Sequence, residues 1–336
     1  MHTVTLFIPA LFWPHGDAGP APTMPALRTL IGRGDAAAFR CDDEQAWLCE
    51  RFGIARQADW PSAPIAVFGA GMPPGENYWL SADPVHLQVN RDQLILTAPE
   101  NLAITDAEAV SLCAALNRHF AADHFTFLAP QPHRWYLRTA RPARIHTSGL
   151  SRAVGRDVDR ILPEGEDRLA WHRIFNEVQM LLHAHPVNEE REERGALPIN
   201  SLWFSGGGVL PAARTAFQAV IGSSALARGL AKLADISFVA PDGGVAAVAA
   251  DEALIELHDA ATAALRIDDA AWKDALENLE RLWFVPLQGM LKKGRIRKLV
   301  IATVVNGRSH EWSVSRLNLW RLWRSVAVLA APERGL

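Results

Sequence analysis

Short apolar runs rich in β-branched and aromatic residues recur along this chain, separated by stretches with helical spacing. VTLFIPALF near the N-terminus, ISFVA at 236–240 and KLVIATVV at 298–305 are the clearest. A strand that is apolar on both faces must be covered on both, and a mainly parallel sheet between helices does this. Alternation of such strands with helices therefore predicts an α/β fold with helices on both faces of the sheet. The reading along the chain is a strand over 3–13 and a helix from Pro25 to Gly32 or Gly34 capped by Thr23. A short strand at IAVFGAG follows. Later come helices over Leu169–His183 and around 222–233, then a long helix from Asp268 to about Leu291.

The middle of the chain has a different grain. HLQVNRDQLIL reads as a hairpin turning at Asn90-Arg91-Asp92, and HFTFLA and HRWYLRT as further strands. Between them Thr105 opens a helix that runs to Phe120, with Glu108 three residues on as a capping box. ALPINSLWFSGGG passes from turn to strand to glycine-rich loop. This predicts a smaller α+β domain over 83–199, inserted into a core made of 1–82 and 200–336.

Composition excludes some classes. At 336 residues with 49% hydrophobic side chains, the chain can bury a large core without disulfides or a structural metal. Its three cysteines, Cys41, Cys49 and Cys113, have neither zinc-site nor disulfide-framework spacing and read as small packed side chains. The apolar N-terminal run lacks the basic stretch of a signal peptide, and no segment reaches the roughly 18 apolar residues of a membrane span. The expectation is a cytoplasmic protein with no membrane partner. Net charge is −3, yet residues 281–336 hold eleven Lys and Arg against two Glu, a balance of +9 that leaves −12 for the rest. In KKGRIRK the basic residues follow a helix, where cations complement its C-terminus, and this reading is preferred to nucleic-acid binding. SRLNLWRLWRSVAVLAA mixes Trp320 and Trp323 with Arg316, Arg321 and Arg324. It reads as a terminal helix docked on its own domain, an amphipathic surface anchor being the alternative.

Three stretches carry a resemblance. PTMPALRTLIGRG resembles the Thr-Pro helix opening that follows the first strand in the alkaline phosphatase superfamily. ITDAEAVSLCAALNRHF, FTFLAP and HRWYLR follow the order of a helix and strands in the inserted domain of archaeal-type cofactor-independent phosphoglycerate mutases, members of that superfamily. Most specific is VQMLLHAHPVNEEREERGALPINSLWFSGGGVLP. Its His185, Pro186, Val187, Asn188, Arg191, Gly195, Asn200, Trp203, Gly206 and Gly208 match the mutase segment. Within the family the chain looks most similar to the bacterial RpfE-type regulatory proteins. The resemblance implies an alkaline-phosphatase-like core plus the inserted domain.

It also implies a chemistry, which uses two metal ions and a Ser or Thr nucleophile. The first ligand in the family is an Asp ending the first strand, where this chain has Pro9 and Ala10; Asp17 lies too far downstream. The second pair, an Asp and a His four residues apart, aligns with Thr262 and Arg266, and a fixed positive charge repels a metal cation. The third, an Asp-His pair, aligns with Val304, Val305 and Asn306; His310 reads as a solvated loop residue. No metal and no cofactor are expected. Ser62 aligns with the nucleophile and reads as either a weak catalytic candidate or a turn residue after Pro61.

What remains is ligand binding. Arg134, His185, Asn188, Arg191, Asn200, Gly206, Gly207 and Gly208 are the candidate contacts for a small phosphorylated acid, through guanidinium forks and loop N–H groups. The plainer alternatives are helix capping for the His185–Arg191 cluster and close chain approach for the glycines. The main expectation is a non-catalytic, mutase-like protein with a regulatory or ligand-sensing role. Its rivals are a phosphomutase or phosphatase with a rebuilt site at Ser62, and an interaction protein that binds nucleic acid or protein through its basic C-terminal face.

Overall fold

The computed structural model describes residues 2–324 except 17–18, 21, 92 and 248–249. In chain order its strands are β1 (His2–Phe7), β2 (Asp35–Arg40), β3 (Tyr78–Asn90), β4 (Gln93–Thr97), β5 (Thr126–Gln131), β6 (Arg134–Thr139), β7 (Ile145–His146), β8 (Glu164–Gly165), β9 (Ser201–Gly208), β10 (Ala219–Ile221), β11 (Ser237–Val239), β12 (Glu252–Glu256), β13 (Ile296–Val305) and β14 (Arg308–Ser315). The chain forms two compact units, one from Met1–Gly53 with Ala213–Leu336 and one from Ile54–Ala212.

The first unit holds a seven-stranded sheet in the order β11-β10-β12-β1-β13-β14-β2. β11, β10, β12, β1 and β13 run parallel, as the apolar runs predict, while β14 is antiparallel to both β13 and β2. Val4, Leu6 and Ile8 face one layer of helices, packing with Leu27, Leu30, Phe284, Leu287 and Leu291. On the other face Phe7 stacks on Trp47 of the Glu44–Arg51 helix, ring centroids 4.1 Å apart. Burial on both sides is why these strands carry so little charge.

Several elements differ from the reading of the sequence. β1 stops at Phe7 instead of continuing to 13, and Ala10 takes a left-handed φ of +55° that breaks the extended run. Asn306-Gly307 makes a tight turn with φ of +51° and +74°, the geometry of a two-residue hairpin, so β13 folds back into β14. His310 is therefore a half-buried strand residue opposite Thr303, not a loop residue. Burial and the charge of Arg308 lower its pKa. The long helix is present as Asp269–Leu279 and Val285–Lys292 joined by a π-turn at Glu280–Phe284. The wider turn directly precedes Pro286, whose ring cannot follow a regular α-helical turn.

That turn also explains a cap. The helix Pro25–Arg33 begins where expected, but its N-cap is Met24, with no side-chain bond, rather than Thr23. Buried Glu280 does the capping from across the fold, its carboxylate accepting from the N–H groups of Ala26 at 2.6 Å and Leu27 at 3.1 Å. A carboxylate there meets the positive end of the helix dipole and two orphan donors at once. Glu280→Ala should cost about 2–3 kcal/mol, since two buried donors lose a charged acceptor. Glu280→Gln, which keeps an acceptor oxygen, should cost less. Urea unfolding separates these outcomes; equal losses from both variants would mean that packing, not capping, is the role of Glu280.

The second unit is built on an antiparallel sheet in the order β4-β3-β6-β5, with β9 on the other side of β3. The hairpin β3–β4 is the one read from HLQVNRDQLIL; Asp92 in its turn lies outside the described residues. The helix Asp106–His119 carries the capping box as predicted, Thr105 accepting from the Glu108 N–H at 3.3 Å and Glu108 from the Thr105 N–H at 2.8 Å. IAVFG is not a strand: Ser62–Gly69 is a helix, almost entirely buried. A short run that is apolar all round has no periodicity to tell helix from strand. The glycines of SGGG lie within β9 rather than in a loop. The units meet the chain at 53/54 and 212/213 rather than at 82/83 and 199/200. β3 runs unbroken through residue 83, and β9 pairs along it from Val85 back to Trp79, so neither strand can be divided from the other.

Candidate functional site

Ligands of parallel α/β sheets gather at the C-terminal ends of the strands. After β1 the Ile8 N–H donates to the Ala302 carbonyl and the Ala10 carbonyl accepts from Trp272 Nε1 at 2.8 Å. Pro9 and Ala10 thus offer only backbone, and the Ala10 carbonyl is tied to the indole. Thr262 lies in the helix Asp259–Leu265, Arg266 ends it, and Val304 and Val305 close β13 before the Asn306 turn. Asp17 lies outside the described residues.

Among the described residues one buried carboxylate stands at this edge. Glu256 ends β12 in register with Phe7 and is wholly buried. Its carboxylate lies 2.8 Å from His258 Nε2 and accepts from Ser224 Oγ at 2.8 and 3.0 Å. Ser224 in turn caps the helix Ala225–Leu233, accepting from the Ala227 N–H at 3.0 Å. Burial alone would raise the Glu256 pKa, but His258 and the Ser224 bonds outweigh it and the net shift is downward. The carboxylate is therefore ionised and satisfied from within, filling the anion-attracting end of that helix. Among the described residues no three His, Cys, Asp or Glu side chains come together as a metal-holding group. The donor set does not fit a pair of metal ions.

In the second unit Ser62 opens its helix, buried against β9. Gly206, with φ of +68°, passes so close that a Cβ there would stand 2.1 Å from Ser62 Oγ. A Cβ on Gly207 would meet the Tyr78 hydroxyl at 2.4 Å, and one on Gly208 would meet Pro61 Cβ at 2.5 Å. The three glycines admit three neighbouring side chains, which is the close-approach alternative. The Gly206 N–H donates to Thr147 Oγ1 at 3.1 Å, and Thr147 donates through its own N–H, at 3.0 Å, and its hydroxyl to buried Asp59. Burial raises the Asp59 pKa, opposed by the bonds from Thr147 and Trp60.

The remaining candidates bond to partners within the unit. Arg191 is 1% exposed. Its Nε donates to the Leu197 carbonyl at 2.8 Å, Nη1 to Glu108 Oε1 at 2.9 Å, and Nη2 to the Leu102 carbonyl. Asn188 is buried and bonds Leu182 and both backbone groups of Ile199. His185 caps the helix Pro186–Glu193, accepting from the Val187 N–H, and burial together with the charge of Arg118 lowers its pKa. The Asn200 amide pairs with both backbone groups of Leu87 at 2.8 Å. Arg134 lies across from buried Asp83, Nη1 being 3.1 and 3.2 Å from the two carboxylate oxygens, with Glu100 3.7 Å from Nη2. Burial pushes the Asp83 carboxyl up to about 6, against the pull of Arg134. Two carboxylates around one guanidinium leave little attraction for an anion.

Sequence reasoning missed Glu256, Asp59 and Asp83. The usable signal was an acidic residue inside an apolar run, as in ALIEL and LSADPV, because such a charge is buried only with partners.

The chain is a two-unit α/β protein whose parallel sheet ends, at β12, in a buried carboxylate bonded by Ser224 and lying beside His258. Among curated proteins the chain is similar to 2,3-bisphosphoglycerate-independent phosphoglycerate mutases. It is 36% identical over 69 residues to that of Methanosarcina mazei, covering 20% of this chain and 17% of the relative. It is 26% identical over 169 residues to a probable one of Geobacter sulfurreducens, covering 47% and 42%. For mutase 1 of Archaeoglobus fulgidus the figures are 32% over 104 residues, covering 27% and 26%. The chain thus matches less than half the length of each of these relatives. No family model matches it. Among solved structures, the cofactor-independent phosphoglycerate mutase of Thermoplasma acidophilum covers 94% of this chain and 89% of its own at 18% identity, with a TM-score of 0.39. The PH0037 protein of Pyrococcus horikoshii covers 94% and 87% at 12% identity, with a TM-score of 0.47.

Proposed function

We propose that this chain is a non-catalytic, phosphoglycerate-mutase-like protein with a regulatory role. The observation that carries the reading is the C-terminal edge of the parallel sheet. Pro9 and Ala10 stand there without ligand atoms, and the carboxylate at the edge, Glu256, is already matched by His258 and Ser224. The regulatory part rests on the likeness of the sequence as a whole to the bacterial RpfE-type regulatory proteins. Binding of a small phosphorylated acid is left out of the proposal, because Arg191, Asn188 and Asn200 use their polar groups inside the unit. The rival enzyme built on Ser62 gains no support from Thr147 and Asp59, since Thr147 donates to Asp59 and accepts from the Gly206 N–H.

The purified protein should bind no stoichiometric manganese or zinc and should not interconvert 2- and 3-phosphoglycerate when either metal is added. Elemental analysis and a coupled mutase assay check this. Two metals per chain, or turnover lost in Ser62→Ala, would replace the proposal with the enzymatic one.

A further inference from the structure

Trp320 and Trp323 are 69% and 80% exposed, and Leu317 and Leu322 beside them 80% and 70%. Most tryptophans and leucines of this chain are packed, so four exposed within seven residues need a reason. The described part of this segment is not a helix lying on its own unit. A single 3-10 turn, Asn318–Trp320, is pinned by Asn318 and Leu319, which point inward. Asn318 Oδ1 accepts from the Ser315 N–H and its amide donates to Asp35, while Arg321 and Arg324 are held by Asp35 and the Gly34 carbonyl. The turn is fixed from below with its large apolar side chains left outside.

A basic surface adjoins it. Lys298 pairs in register with Ser315, which puts the start of β13 against the end of β14, and Arg316 Nη1 would lie 3.9 Å from a Cβ on Gly294 in the KKGRIRK turn. Lys292, Lys293, Arg295, Arg297, Lys298 and Arg316 are all exposed. Of these, Arg297 approaches a carboxylate, Glu252 at 3.9 Å; among the described residues Lys293, Arg295, Lys298 and Arg316 pair with none. The helix-end reading of KKGRIRK accounts for Lys292 and Lys293 but not for Arg297 and Lys298 on β13 or Arg316 just past β14.

We propose that this end of the first unit docks on the surface of an anionic phospholipid bilayer. Indole rings favour the headgroup boundary, leucines enter the acyl region below it, and dispersed Lys and Arg add attraction to an anionic leaflet without needing a pocket. Aliphatic side chains standing beside the tryptophans favour lipid over single-stranded nucleic acid, because leucine offers bases nothing to stack on. Such docking is peripheral: among the described residues no helix is long and apolar enough to cross a membrane. It departs from the expectation of no membrane partner, which rested on the absence of a span.

The test is sedimentation of the full-length protein with phosphatidylcholine vesicles, pure or containing phosphatidylserine. Binding is expected to the mixed vesicles alone, weakening as salt rises, with a blue shift of tryptophan emission. Trp320→Ala/Trp323→Ala should weaken binding roughly tenfold or more through lost apolar burial, with the melting temperature unchanged because both rings are exposed. Lys293→Gln and Lys298→Gln should each weaken it roughly fivefold. No sedimentation with the mixed vesicles, equal binding to pure phosphatidylcholine, or undiminished binding of the tryptophan double variant would overturn the proposal. So would tight binding of a labelled single-stranded oligonucleotide that the mixed vesicles fail to displace.

Discussion

Arg191→Ala should unfold the Ile54–Ala212 unit under conditions where the wild type is stable. The guanidinium is buried and uses Nε, Nη1 and Nη2 on three separate partners: the Leu197 carbonyl, Glu108 and the Leu102 carbonyl. Removing it strands two carbonyls and takes one of two arginines from Glu108, whose other is Arg194. Breaking a buried ion pair from one side costs about 3–5 kcal/mol, a large part of the roughly 5–15 kcal/mol that holds a domain together. Arg191→Lys should rescue little, since one ammonium cannot reproduce the planar fork. The same cluster sets an acid limit. Burial would raise the Glu108 pKa, but bonds from Thr105, Arg194 and Arg191 together bring it from 4.5 to about 2. The folded state therefore binds this proton less readily than the unfolded one. The resulting stability is complete above 4.5 and is lost as pH falls through about 2, on the order of 3 kcal/mol in all. Circular dichroism against temperature at a series of pH values reads both effects. An Arg191→Ala protein with an unchanged melting temperature would refute the structural role and reopen a ligand-binding one.

Gly206→Ala is the second large effect. A methyl group would stand 2.1 Å from Ser62 Oγ and 3.2 Å from the Ala63 nitrogen, at a φ of +68° that alanine resists. Overpacking of about 1–3 kcal/mol adds to a conformational cost of about 1 kcal/mol. The expected sum is about 2–4 kcal/mol. If the clash with the hydroxyl dominates, Ser62→Ala should be mild alone and should recover at least half the loss in the double variant. A double variant no more stable than Gly206→Ala would place the whole cost in the backbone. The cycle also bears on Ser62 itself, since recovery on deleting its hydroxyl marks a packed group.

Local signals carried well from sequence to structure, and distant ones did not. The Thr105–Glu108 capping box, the β3–β4 hairpin and the apolar parallel strands all lie in windows of a dozen residues, and each was readable there. The cap on the Pro25 helix was not, because Glu280 reaches it from a separation of 254 residues. Asn306-Gly307 was a usable hairpin signal, because a two-residue hairpin turn needs positive φ at both positions. For the candidate site the residue types were informative and their surroundings were not. Arg191, Asn188 and Asn200 look like ligand contacts in a linear motif, and only the fold shows their donors engaged by Leu197, Ile199 and Leu87.

The place of β1 between β12 and β13 has a consequence for how the chain comes to be folded. During synthesis β1 emerges before the strands on either side of it, Glu252–Glu256 and Ile296–Val305, and the whole of Ile54–Ala212 is made in between. Ile54–Ala212 is continuous and has all its sheet partners once residue 208 has appeared. Domains generally fold as units while the chain is being made, so Ile54–Ala212 can fold before β1 has its sheet partners. Until both neighbours have been made, the apolar strand β1 has two unpaired edges and depends on protection from premature pairing.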